Sequence, residues 1–119
     1  YLGIGGINHY MLPTWNGMEL ASPKYGNIAI ERLVEKMLSL GSKKNNLVAK
    51  VFGGGEVISA TTPVMHIGER NIMVAEEMLD EYNIPIISRS TGGKNGRKII
   101  FNTHTGEVLH GFIKNSMNK

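Results

Sequence analysis

The segment NIAIERLVEKMLSLG, residues 27 to 41, carries the helical pattern from which the other elements of the fold can be placed. Its apolar side chains recur at spacings of three and four, at Ala29, Ile30, Leu33, Val34, Met37 and Leu40. This period predicts an amphipathic helix with one face against a core, while charged residues fill the opposite face. Gly41 follows the last apolar position and is typical of a left-handed helix cap.

Working outward from this helix, the sequence predicts elements on both sides of it. Residues 1 to 12 are typical of a strand in which Gly3, Gly5 and Gly6 allow another backbone to come close. On the other side, LVAKVFGGG, residues 47 to 55, predicts a strand that ends in a glycine loop. A second amphipathic helix is expected within residues 66 to 83, where the helical spacing of apolar side chains returns.

The C-terminal third predicts three more strands. IPIIS, residues 84 to 88, is a continuous apolar run, as expected for a strand buried on both faces. Residues 97 to 114 predict a hairpin around Thr105 and Gly106. The expected order is therefore β-α-β-α-β-β-β. We predict a mixed α/β chain of the α+β class, with helices packed outside either one mixed sheet or two sheets.

Composition excludes several classes of function. A chain of 119 residues that is 41% hydrophobic suits one domain, residues 1–119. The net charge of +3 is small, and the basic residues are scattered, so a nucleic-acid partner is not expected. No apolar run approaches the roughly 20 residues of a membrane helix, which argues against membrane insertion. The absence of cysteine favours a reducing compartment such as the cytoplasm.

Histidine is the residue type here that is best suited to acid–base chemistry near neutral pH. His9 lies in GGINHYMLP, residues 5 to 13, although a lone histidine in a strand is more often structural. His66, His104 and His110 are interpreted as structural residues near a helix start, in a turn and on a strand. The four histidines share no ligand spacing, so no metal site is expected.

Two glycine-containing motifs each have a structural and a functional interpretation. FGGGEV, residues 52 to 57, lacks the lysine and hydroxyl residues of a phosphate loop and the spacing of a dinucleotide fingerprint. The three glycines are instead interpreted as allowing close backbone approach, with N–H groups available to a reacting carbonyl. In IGERN, residues 67 to 71, Arg70 and Asn71 could simply start a helix or could tie it to a neighbouring loop.

Several of these motifs together resemble CheD, the chemoreceptor glutamine deamidase family of bacterial and archaeal chemotaxis. The segments that carry the resemblance are, in order, GGINHYMLP, YGNIAIERLVEKMLSLG, AKVFGGG, IGERN and RKIIFNTHTGEVL. The resemblance extends from residue 3 to about residue 110. It implies a CheD-like cysteine hydrolase fold with layered β-sheets flanked by helices, related to the catalytic domain of cytotoxic necrotizing factor toxins.

The resemblance also implies an activity, an absence of cofactors and a set of partners. The family hydrolyses side-chain amides of specific glutamines on methyl-accepting chemoreceptors to glutamate, without a metal or cofactor. It uses a cysteine nucleophile, a histidine base and a threonine that orients the histidine. His9 matches the family's catalytic histidine, and Gly53 and Gly54 are the candidates for shaping the oxyanion pocket. The implied partners are chemoreceptors and the CheC phosphatase, in the cytoplasm.

The chain departs from the family pattern at the nucleophile. In the family, the catalytic cysteine and threonine precede the histidine, whereas this chain begins at Tyr1 and has no cysteine. We therefore expect a single CheD-like domain truncated at its N-terminus, and a chain that is inactive alone. The alternative is a non-enzymatic module that binds CheC or receptors. A phosphate- or nucleic-acid-binding domain, the third interpretation, would show salt-sensitive binding.

Overall fold

The computed structural model describes residues 3–14, 17, 22, 24–55 and 67–113. Its elements are, in chain order, α1 (Gly26–Ser39), a short 3-10 helix (Lys44–Asn46), β1 (Ala49–Gly53), α2 (Ile67–Glu81), β2 (Ile86–Thr91), β3 (Arg97–Phe101) and β4 (Val108–Phe112). The predicted α+β class is confirmed, and from α1 onward the elements follow the predicted order.

The described strands form two separate two-stranded sheets, so the second of the predicted arrangements is the one observed. β1 pairs with β2 in parallel, with Val51 opposite Arg89. β3 pairs with β4 in antiparallel fashion, with Ile99 opposite His110, as predicted for the hairpin. Because parallel neighbours need a crossover connection, β1, α2 and β2 form one βαβ unit.

The segment at the start of the chain differs from the strand predicted for residues 1 to 12. Within residues 3–14 the only β-pairing described is an isolated parallel bridge between Leu12 and Tyr25. The backbone N–H groups of Met11 and Leu12 both donate to the Lys24 carbonyl, at 2.8 and 2.9 Å. This segment therefore joins the chain just before α1 instead of extending a sheet.

Glycines explain why the segment packs closely. A Cβ at Gly5 would lie 2.6 Å from the Thr103 carbonyl oxygen, and one at Gly6 would lie 2.6 Å from a methyl group of Leu33. At Gly5 the obstacle is backbone, so only glycine fits there, whereas at Gly6 the Leu33 side chain would have to move to admit a Cβ. The expected close approach of another backbone is confirmed at Gly5, and the segment lies between the hairpin turn and α1.

Both helices end in Schellman motifs. At α1, Gly41 has φ +103° and donates to the Leu38 carbonyl, while the next residue, Ser42, donates to that of Met37. This confirms the predicted left-handed cap. At α2, Asn83 takes the same position with φ +58°, and Ile84 donates to the Leu79 carbonyl.

The core lies between the two helices and the start of β2. Its buried members are Ile30, Val34, Ala75, Leu79 and Ile84. Ile84 follows the α2 cap directly, so the turn that ends the helix also inserts an apolar side chain beneath it. The prediction that residues 84 to 88 are buried on both faces is wrong, because Ile87 is 57% exposed. Within the described residues β2 pairs with β1 alone, and α2 packs against that two-stranded sheet.

Truncating a core residue of α1 tests this arrangement. Ile30 is 6% exposed, so Ile30→Ala should lower the free energy of unfolding by about 2–5 kcal/mol. Leu38, on the same helix, is 39% exposed, and Leu38→Ala should cost less than about 1 kcal/mol. Urea unfolding of the two variants measures both values, and equal losses would contradict the core assigned here.

Candidate active site

His9 is exposed, on the segment that lies across α1 and the hairpin turn. The question left open by the sequence was whether this histidine packs in the core or performs chemistry. A core histidine would be buried, so its exposure argues against the packing interpretation. The imidazole is accessible to another group.

The two residues after His9 are both fixed to the second turn of α2 through Asn71. The Tyr10 hydroxyl donates to the main-chain carbonyl of Asn71 at 2.5 Å. In the opposite direction, Asn71 Nδ2 donates to the main-chain carbonyl of Met11 at 3.1 Å. The hypothesis that Asn71 ties the helix start to a neighbouring loop is therefore confirmed. Arg70, the other residue of that hypothesis, has an exposed side chain.

Tyr10 is well suited to donate this hydrogen bond. Burial raises the pKa of the Tyr10 hydroxyl to about 12 and keeps it protonated far above neutral pH. Its ring also packs against the start of α1, where a Cβ at Gly26 would come within 2.7 Å of it. Nothing in the sequence pattern had singled out Tyr10, because its partner lies 61 residues away along the chain.

The glycine loop lies directly on the first turn of α2. Gly54 has φ +70°, and a Cβ there would collide with the Ile72 side chain and lie 2.9 Å from the Gly68 carbonyl oxygen. A Cβ at Gly68 would in turn collide with the carbonyl group of Gly54. The two glycines therefore allow backbone-to-backbone packing that any side chain would prevent.

The Gly53 carbonyl fixes this loop to the turn between β2 and β3. It accepts the N–H of Gly92 at 2.9 Å and Nη1 of Arg97 at 3.3 Å. Arg97 also donates to the Gly92 carbonyl at 2.7 Å and to Oγ of Ser90 at 3.0 Å. No local pattern of residues pointed to this role of Arg97, because its partner Gly53 lies 44 residues earlier.

The structure thus brings the two predicted site segments to neighbouring turns of one helix. The glycine loop packs on Gly68, and the residues after His9 bond to Asn71. These two positions are three residues apart, about 4.5 Å along the helix axis. Helix α2 therefore positions the candidate base and the candidate oxyanion loop together.

The other candidate residues lie elsewhere or outside the described residues. The His110 ring lies 5.5 Å from Phe52 and 5.0 Å from Phe112, between their centroids, consistent with its interpretation as structural. His104 lies in the hairpin turn, with Nδ1 3.2 Å from the Gly3 carbonyl oxygen. His66 lies outside the described residues. No helix in the described ranges has the length and apolar character needed to cross a membrane.

The packing of the glycine loop can be tested with two alanine variants. Gly54 and Gly93 have similar positive φ values, +70° and +78°, but a Cβ at Gly93 would meet open space. Both substitutions carry the same backbone strain, so only Gly54→Ala adds a collision. We expect Gly54→Ala to destabilise the fold by about 1–3 kcal/mol more than Gly93→Ala. Thermal and urea unfolding measure the difference, and indistinguishable variants would contradict the contact.

The burial of the Tyr10 hydroxyl should appear in the alkaline stability of the protein. The pKa of Tyr10 is raised from 10.0 to about 12 on folding. Its contribution to stability is therefore complete below pH 10 and is lost as pH rises toward 12, because the unfolded state ionises first. After allowance for partial exposure, we expect the free energy of unfolding to fall by an amount on the order of 1 kcal/mol over this pH range.

Two phenylalanine variants isolate this effect. In Tyr10→Phe, the part of the fall in unfolding free energy that comes from Tyr10 ionisation should be absent. Urea unfolding at pH values from about 9 to 12 measures this fall. The pKa of Tyr82 is also raised, by burial and by Glu31, Glu35 and Glu81, so Tyr82→Phe is the control that retains the Tyr10 contribution. An unchanged alkaline profile in Tyr10→Phe would refute the assignment.

Comparison with known proteins identifies the family. Residues 11–111 match the family described as CheD chemotactic sensory transduction. A Trichlorobacter lovleyi protein named probable chemoreceptor glutamine deamidase CheD is 54% identical over 109 residues, 92% of this chain and 68% of that protein.

Two further relatives carry similar names. The Sulfurimonas denitrificans protein of the same name is 43% identical over 112 residues, 93% of this chain and 72% of its own length. An Anaeromyxobacter dehalogenans protein, probable chemoreceptor glutamine deamidase CheD 1, is 41% identical, over 87% of this chain and 60% of its own length. The chain belongs to the CheD family.

Proposed function

We propose that this chain supplies the histidine and the oxyanion loop of a chemoreceptor glutamine deamidase, with His9 as the general base. The observation that carries this proposal is that the segment of the exposed His9 bonds to α2 about one turn from the point where the glycine loop packs. The reaction is the one in the names of the relatives. Its substrates are glutamines of chemoreceptors.

The chemistry requires a thiolate that attacks a side-chain amide. The His9 imidazole takes the proton of a cysteine thiol, and the thiolate adds to the glutamine carbonyl carbon. Ammonia leaves with a proton from the imidazolium, and a thioester remains. Water then hydrolyses the thioester to glutamate and restores the thiol. Because these 119 residues contain no cysteine, the thiol has to come from outside them.

The glycine loop is a candidate for stabilising the oxyanion of the tetrahedral intermediate. The Gly53 carbonyl points toward Gly92 and Arg97, to which it is hydrogen-bonded. In a trans peptide the carbonyl and the following N–H point in opposite directions. The N–H of Gly54 therefore faces away from Arg97, and preorganised N–H groups of this kind are what an oxyanion needs.

Partners and location follow from the family resemblance. We propose that the protein carrying this chain binds chemoreceptors as substrates and the CheC phosphatase as a regulatory partner, in the cytoplasm. The absence of a thiol from these residues also favours a second candidate, a CheD-like module that binds CheC or receptors without chemistry. A cysteine whose thiol proton is taken by His9 is required for the deamidase and not for the binding module.

A histidine variant tests the proposal in a protein that contains this chain and a reactive cysteine. His9→Ala should lower kcat for ammonia release from a chemoreceptor cytoplasmic domain by about 10²–10⁴-fold. Because His9 is exposed, the melting temperature should change little. His104→Ala, at another exposed histidine, is the matched control; it removes a contact to Gly3 but no reacting group, so it should lower kcat far less than His9→Ala.

The same assay decides between the two candidate functions. The 119 residues alone should release no ammonia. Full activity of His9→Ala, or activity of the thiol-free chain, would refute the cysteine–histidine mechanism. Receptor or CheC binding without any ammonia release, in a protein that carries a cysteine, would favour the binding module.

A further inference from the structure

We propose that Asn71 is a positioning residue that, together with Tyr10, holds the His9 segment on α2 and so sets the orientation of the imidazole. This inference rests on the role of His9 proposed above. It assigns to the IGERN motif a purpose beyond starting a helix: the motif carries the anchor of the catalytic segment.

The hydrogen bonds between Asn71 and the His9 segment run in both directions. Asn71 accepts from Tyr10 through its main-chain carbonyl and donates to Met11 through its side-chain amide. Consecutive residues of the segment are thus bonded to one residue of the helix. Tyr10 is adjacent to His9, so their Cα atoms are about 3.8 Å apart, and a shift at Tyr10 moves His9 directly.

The two polar atoms of the Asn71 side chain have different surroundings. Asn71 Oδ1 is buried and has no hydrogen-bond donor among the described residues. Within the described ranges, the Asn71 side chain therefore makes its hydrogen bond through Nδ2 and not through Oδ1. Its described favourable contact is the bond from Nδ2 to the Met11 carbonyl, which acts on the His9 segment.

The His9 segment is also held from a second side, by the chain just before α1. The N–H groups of Met11 and Leu12 donate to the Lys24 carbonyl at 2.8 and 2.9 Å. Asn71 therefore completes a two-sided attachment, to α2 on one side and to the chain before α1 on the other. These two amide protons also report on the segment, because their exchange with solvent requires the bonds to Lys24 to open.

The test uses two near-isosteric substitutions and two matched controls. Asn71→Asp replaces the donor that faces the Met11 carbonyl with an acceptor, and Tyr10→Phe removes only the hydroxyl. Asn45→Asp, at an exposed position, and Tyr82→Phe repeat the same chemical changes away from the segment. All four are made in the protein that carries this chain and a reactive cysteine.

The first readout is amide hydrogen exchange, which does not depend on catalysis. Exchange of the Met11 and Leu12 amides should accelerate at least about 10-fold in Asn71→Asp and in Tyr10→Phe, and stay unchanged in both controls. The Val34 amide in α1 is the internal reference for global unfolding. If Asn71→Asp fails to fold, Tyr10→Phe alone decides. Unchanged exchange at residues 11 and 12 would overturn the proposal.

The second readout is the division of the kinetic effect between kcat and KM. Misplacing the base should lower kcat by about 10–100-fold and leave KM within about 3-fold, because substrate contacts are retained. The double variant should lose no more than Asn71→Asp alone, since both residues hold the same segment. Faster exchange with unchanged kcat, while His9→Ala is inactive, would overturn the positioning role.

Failure of the proposed function itself has a different signature. If His9→Ala keeps full activity, His9 is not the base, and the positioning role falls with it whatever the exchange rates are. If His9→Ala is inactive and the exchange of Met11 and Leu12 is unchanged in both variants, the function stands and only the role of Asn71 is refuted.

Discussion

The contact between Gly54 and Gly68 is the constraint on which the arrangement of this chain depends. At this point the loop after β1 lies backbone to backbone on the first turn of α2, and neither residue could carry a side chain. The Gly53 carbonyl is thereby directed to Gly92 and to Arg97, which begins β3. One close contact therefore fixes the loop, the βαβ unit and the start of the hairpin relative to each other.

Helix α2 has two functions in this fold, one at each end. Its C-terminal half contributes Ala75 and Leu79 to the core, so apolar burial holds the helix in place. Its N-terminal half contacts two chain segments through backbone atoms, the Asn71 amide and the Ile72 side chain. Hydrogen bonds contribute only about 0.5–1.5 kcal/mol each, so they orient these segments while the core supplies most of the stability.

Elements with a local signal were predictable from the sequence, and contacts between distant segments were not. The period of α1 and the cap at Gly41 depend on neighbouring residues, so both were predicted correctly. The exposure of Ile87 depends on which sheet faces are covered, which the apolar run could not reveal. Residues 3–14 have strand-like composition, but their glycines serve close packing against the hairpin and α1.

The same distinction separates the parts of the candidate site. From the residues alone, a single histidine favoured a structural role, and only the family resemblance pointed to His9 as a base. The anchoring of Tyr10 to Asn71 was out of reach, because its partners are 61 residues apart. The sequence did suggest that Asn71 contacts a loop, and in the structure this loop is the segment that carries His9.

The proposed chemistry requires both an exposed imidazole at His9 and a fixed backbone beside it. A base that serves a thiol from another segment has to be accessible, so core packing cannot orient it. Yet an imidazole on a loose segment would sample many directions, and the advantage of a preset geometry between base and nucleophile would be lost. Anchoring the two residues after His9, while its own side chain stays exposed, satisfies both requirements. The orientation of the proposed base is then set by hydrogen bonds from its neighbouring residues to α2, the helix on which the glycine loop also packs.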